Sequence, residues 1–135
     1  MDLKLGEAFQ KNMVSEHTAL SSQAAREFLS KTNLDNSKKE KVINCIEAHH
    51  KDIPYTSIEA EITANADCYR FLHIKGFLTG FGVFLNRFND FAKAVEQAES
   101  KVEEKYRILS LPACKKELKP HYNTIKKLIG YAKDV

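Results

Sequence analysis

An all-α fold is predicted by three features of the sequence. Glycine and proline are scarce, five and three in 135 residues. No run of β-branched residues alternates with polar ones. Apolar residues instead recur three and four positions apart nearly throughout, the period of a helix rather than a strand.

A first segment, about 3–13, is short and weakly amphipathic through Leu5, Phe9 and Met13. Ser15 is positioned to cap the next helix, about 16–31, with an apolar stripe of Leu20, Ala24 and Phe28 flanked by Ala25 and Leu29. TNLDN breaks that pattern. Ser37 followed by Glu40 reads as a capping box opening a helix over about 38–50, with Val42, Ile43, Ile46 and His49 or His50 inward. KDIPYTS predicts a turn around Pro54. Thr56 with Glu59 predicts a second box and a helix of about 57–74, burying Ile58, Ile62, Ala66 and Tyr69. After Gly76, the residues Phe81, Phe84, Phe88, Phe91, Val95, Ala98 and Val102 alternate gaps of three and four, which predicts one long helix, about 77–109. Pro112 ends it. A short helix of about 113–119 and a terminal one of about 121–132 meet at Pro120.

Composition narrows the functional classes. With 43% hydrophobic and 29% charged residues, the chain is a folded globular domain, and its length suits a single one over 1–135. No stretch approaches the roughly 20 apolar residues of a membrane span, and the N-terminus lacks a signal-peptide core, so a cytoplasmic protein without a membrane partner is expected. Cys45, Cys68 and Cys114 are odd in number and form no CxxC pair, which argues against a disulfide framework or a zinc ribbon. Net charge is +3. Residues 101–135 hold nine Lys/Arg against four Asp/Glu, but KVEEKYR and CKKELK interleave the signs as a solvated helix face does. Basic and aromatic residues do not alternate, so nucleic acid is not an expected partner.

Chemistry is confined to few residues. A Gly-rich phosphate loop, GxSxG and HExxH are all absent. What remains is a set of histidines and carboxylates: His17, His49, His50, Glu59 and Asp67. A histidine beside an apolar stripe is commonly a hydrogen-bonded packing residue. Glu59 is explained as a capping acid. Asp67 stands out, because it sits mid-helix among Ala66, Cys68 and Tyr69, on a stripe beside the expected buried one, where a carboxylate is rarely buried without a cation or donor.

Taken in order, these groups resemble the HD superfamily of metal-dependent phosphohydrolases. The carrying elements are Ile46 to His49 at a helix end, Pro54 in the following loop, Ser57-Ile58-Glu59-Ala60 at a helix start, and Ala66-Asp67. Upstream, EHTALSSQAAREFLSKTNL is similar to the family's histidine-led helix, with His17 first, then Ser21, Ala24 or Ala25 and Phe28-Leu29. The resemblance covers about residues 14–75 and extends loosely to about 110. It implies an HD-domain-like helical bundle, truncated at its N-terminus, and a divalent metal ion held by Asp67, His49 and His17. His50 and Glu59 would support that ion or contact phosphate. The implied activity is hydrolysis of a phosphomonoester or nucleotide by a metal-activated water. The family's first metal-binding histidine and its His-Asp doublet have no counterpart here, and Asn65 stands where many relatives carry a further Asp. No residue is therefore assigned as catalytic. The alternative expectation is a non-catalytic helical module that self-associates as a homodimer through the aromatic seam.

Overall fold

The computed structural model describes residues 1–50 and 53–134; Lys51 and Asp52, at the start of the expected KDIPYTS turn, and Val135 lie outside the described residues. Every element among them is helical: α1 (Leu5–Gln10), α2 (His17–Ser30), α3 (Asn36–Glu47), α4 (Ile58–Leu72), α5 (Ile74–Phe88), α6 (Phe91–Ile108) and α7 (Pro112–Lys133), with 3-10 turns at Val14–Glu16 and Ala48–His50. None of these helices is long and apolar enough to cross a membrane. The chain forms two compact units, Met1–Ala64 and Asn65–Val135, and the division falls inside α4.

In the first unit, α2 packs on α3 through Ala25, Ile43 and Ile46, with Leu29 against them. The buried face of α2 is Ser21, Ser22 and Ala25, whereas Phe28, expected inward, is 70% exposed. Small residues bring the two helices close, and the serines enter because their hydroxyls are bonded. Ser22 donates to Glu47 at 2.5 Å, and Ser21 accepts from the Lys4 backbone N–H at 3.0 Å. The cap of α3 is Asp35, whose carboxylate accepts from the Lys38 N–H at 3.0 Å, so the helix starts ahead of the expected Ser37 box. Val42, also expected inward, is exposed.

Buried Asn44 ties down the segment after Pro54. It donates to the Pro54 carbonyl at 3.0 Å and accepts from the Thr56 N–H at 2.8 Å. Thr56 is thereby used, and the cap of α4 is the next residue, Ser57, whose hydroxyl accepts from the Ala60 N–H at 3.3 Å. Ala60 and Ala64 face inward, while Ile58 and Ile62 are exposed, a rotation of the expected stripe.

In the second unit, the single helix expected over 77–109 is two. Asn89 adopts a left-handed conformation (φ 46°) at the end of α5, and Asp90 caps α6 by accepting from the Lys93 N–H at 3.0 Å. Asparagine tolerates positive φ and aspartate is a strong N-cap, so the Asn-Asp pair turns the chain in the middle of an unbroken apolar period. The result is a helical hairpin, with Phe81 and Phe91 edge to face at 5.8 Å across the turn. Inward positions of α6 are Ala94, Val95, Ala98, Val102, Lys105 and Ile108. Conversely, the two helices expected around Pro120 are one. Pro120 is exposed, and Leu118, Ile125 and Ile129 anchor the helix on its opposite side. Buried Asn65 braces the α6–α7 connection, accepting from the N–H groups of Ser110 and Leu111 at 3.0 Å each and donating to the Ser110 hydroxyl at 2.8 Å.

Candidate metal centre

Both 3-10 turns among the described residues of the first unit present a histidine in the same way. The turn Val14–Glu16 runs into α2, whose first residue is His17, and the His17 Nδ1 lies 2.6 Å from the Val14 carbonyl oxygen. The turn Ala48–His50 continues α3, and the His49 Nδ1 lies 2.5 Å from the Ile46 carbonyl oxygen. In both, the ring reaches a carbonyl three residues back. A carbonyl can only accept, so Nδ1 carries the proton in each ring and Nε2 is the nitrogen offered to a ligand. Metal-binding histidines are oriented by this kind of outer hydrogen bond.

His50 completes the group. Its Nε2 lies 3.3 Å from the Nε2 of His17, and one ligand atom from each of His17, His49 and His50 lies within 4.8 Å of the others. The rings are mutually inclined, by 73° for His17 and His49, 89° for His17 and His50, and 47° for His49 and His50. Inclined planes let in-plane lone pairs aim at one point. A tetrahedral zinc with Zn–N distances of about 2.0–2.1 Å places its ligand atoms roughly 3.3–3.4 Å apart. The His17–His50 separation already has that value.

Asp2 adds a negative charge beside the trio. Its Oδ1 lies 3.6 Å from both the His17 and the His49 Nε2. Two ring nitrogens with their lone pairs facing a carboxylate repel one another unless a positive charge, a proton or a metal ion, lies among them. The His49 side chain is 1% exposed, that of His17 13% and that of Asp2 23%.

Of the residues expected from the sequence, the structure thus brings His17, His49 and His50 together. Asp67 is not part of that group. It lies on α4 in the second unit, fully buried, with Lys105 Nζ 2.7 Å from its Oδ2 and Arg70 donating to its Oδ1 at 3.2 Å. The cation that a buried carboxylate demands is a lysine of α6. Next to it, the Cys68 thiol donates to the Lys105 carbonyl at 3.3 Å, and burial pushes that thiol up to about 12, leaving it protonated and inert. Glu59 is exposed on the first turn of α4 and pairs with Lys41 at 3.4 Å. Its own backbone N–H, the Ser57 hydroxyl and Lys41 hold its carboxyl below the usual range. Asp2 was missed, since no motif marks an aspartate ahead of a short, weakly amphipathic segment.

No protein-family model matches the chain, and neither a curated protein nor a solved structure matches it significantly.

Proposed function

We propose that this chain binds a divalent transition-metal ion at His17, His49 and His50 and is a metal-dependent hydrolase of phosphomonoesters or nucleotides, the activity implied by its resemblance to the HD superfamily. The observation that carries this reading is the convergence of three imidazole nitrogens within 4.8 Å, two of them held by backbone carbonyls. Three nitrogen donors with a nearby carboxylate and no thiolate suit zinc and its first-row neighbours better than magnesium or calcium. Three protein ligands leave a position for water or substrate, as in catalytic rather than structural zinc sites. A cation there would acidify its bound water and neutralise charge on a phosphoryl group. His17 and His49 are supplied by the two segments on which the resemblance rests.

Protein without a histidine tag is expected to take up one equivalent of zinc by calorimetry. At a thousandfold excess over Kd the bound ion adds about 4 kcal/mol of stability, several degrees in Tm. His50→Ala should weaken zinc binding about 10- to 100-fold or more, and hydrolysis of p-nitrophenyl phosphate should depend on added metal. Absence of both zinc uptake and a Tm change in the unaltered chain would end this reading.

A second reading, the self-associating module, is favoured by the apolar side chains Leu78, Val83 and Phe91 of the second unit, each more than half exposed. Light scattering at tens of micromolar should then give twice the 15.4 kDa chain mass, and a clean monomer would remove it.

A further inference from the structure

We infer that the cleft where α5 leaves α4 is a further binding site, one that takes a small organic anion with a flat apolar body. α4 ends at Leu72 and α5 begins at Ile74, so His73 alone joins them. Beside that junction lies a cleft of about 500 Å³, within the roughly 300–1,000 Å³ of small-molecule sites. Its lining belongs wholly to the second unit, whereas the three clustered histidines belong to the first, so the inference stands apart from the metal reading.

The lining combines two chemistries. Phe71, Gly80 and Val83 supply an apolar part. A Cβ at Gly80 would lie 3.7 Å from the Phe71 ring, and its absence leaves room beside that ring. Arg70, His73 and Lys75 supply the polar part. The Arg70 guanidinium lies over the Phe71 ring, 5.8 Å from its centroid, which sets positive charge next to aromatic surface. His73 accepts the Lys75 N–H at its Nδ1, so the neutral ring carries its proton on Nε2 and offers a further donor. Lys75 is exposed.

Charge selects the occupant. No aspartate or glutamate is among the described residues that line the cleft. Acids bonded to its wall residues are engaged: Asp67 by Lys105 as well as Arg70, and Glu117 by the Tyr69 hydroxyl at 2.8 Å. A planar ring bearing a carboxylate, sulfonate or phosphate would set its charge among Arg70, His73 and Lys75 and its ring against Phe71 and Val83. A cation would meet like charge, and a neutral ring would forgo the charge-assisted hydrogen bonds.

Two dyes that differ by one group test this in the full chain: 8-anilino-1-naphthalenesulfonate, and N-phenyl-1-naphthylamine, which has the same rings without the sulfonate. Both fluoresce more strongly on leaving water. The sulfonate is expected to saturate at one equivalent and to bind more tightly than the neutral dye. Lys75→Glu should weaken the sulfonate about five- to tenfold and the neutral dye less than about twofold. Gly80→Leu, whose side chain would fill the space beside Phe71, should lose both. The inference is overturned by no saturable binding of the sulfonate, by several equivalents of it, by equal changes for the two dyes in Lys75→Glu, or by unchanged binding in a folded Gly80→Leu. Should circular dichroism show that Gly80→Leu does not fold, Lys75→Glu, at its exposed position, decides alone.

Discussion

Replacing Lys105 by methionine is expected to destabilise the protein by about 3–5 kcal/mol, read from urea melts, because it strips the Asp67 carboxylate of the cation that lies 2.7 Å away in the interior. Both groups are almost completely shielded from water. Arg70 offsets only part of the loss, since its side chain is 56% exposed and its charge is screened by solvent. The double variant Asp67→Leu with Lys105→Met should fall much nearer the unaltered stability, since replacing a buried ion pair by apolar groups of similar volume is commonly close to neutral. The pair also bears on function. Asp67→Asn should leave zinc affinity unchanged if the ion sits on the three histidines, whereas a loss of affinity in that variant would return Asp67 to the ligand set that the resemblance implies.

Gly76→Ala is expected to cost about 3 kcal/mol, with a correspondingly large fall in Tm. A Cβ at position 76 would lie 2.6 Å from the Arg70 carbonyl oxygen and 2.7 Å from that of Tyr69, so the added methyl meets backbone that cannot rotate aside and the start of α5 must move off α4. Gly82→Ala in the same helix is the control. Nothing lies within 4 Å of its Cβ, so alanine there should raise stability by about 0.5–1 kcal/mol through helix propensity. Equal effects at the two positions would show that propensity, not the close approach of two helices, governs Gly76.

What could be read in advance divides along physical lines. Helical content was legible because it is written locally, in spacing and in the scarcity of breakers. The break between α5 and α6 was also written locally, in Asn89-Asp90, but an apolar repeat running through both helices masked it. Which face turns inward was less legible. Ser21 and Ser22 are buried because Lys4 and Glu47, distant in sequence, satisfy their hydroxyls, whereas Phe28 and Ile58, apolar by type, stay outside. At the site, His17, His49 and His50 could be singled out by residue type, but their convergence depends on how two turns present their rings. Asp67 could be recognised as needing a cation. That the cation would be Lys105, 38 positions further on, is a matter of tertiary packing.

The grip of the Val14 and Ile46 carbonyls on two imidazoles has a consequence for how the centre would fill and empty. Rings whose aim is set by the main chain surrender little rotational freedom when an ion arrives, so capture is not taxed by ordering two side chains. Removing such an ion with a chelator would leave both rings where the peptide backbone keeps them. Loading of the proposed site would then be a reversible exchange on a standing scaffold, unlike the zinc-finger case in which metal and fold come and go together.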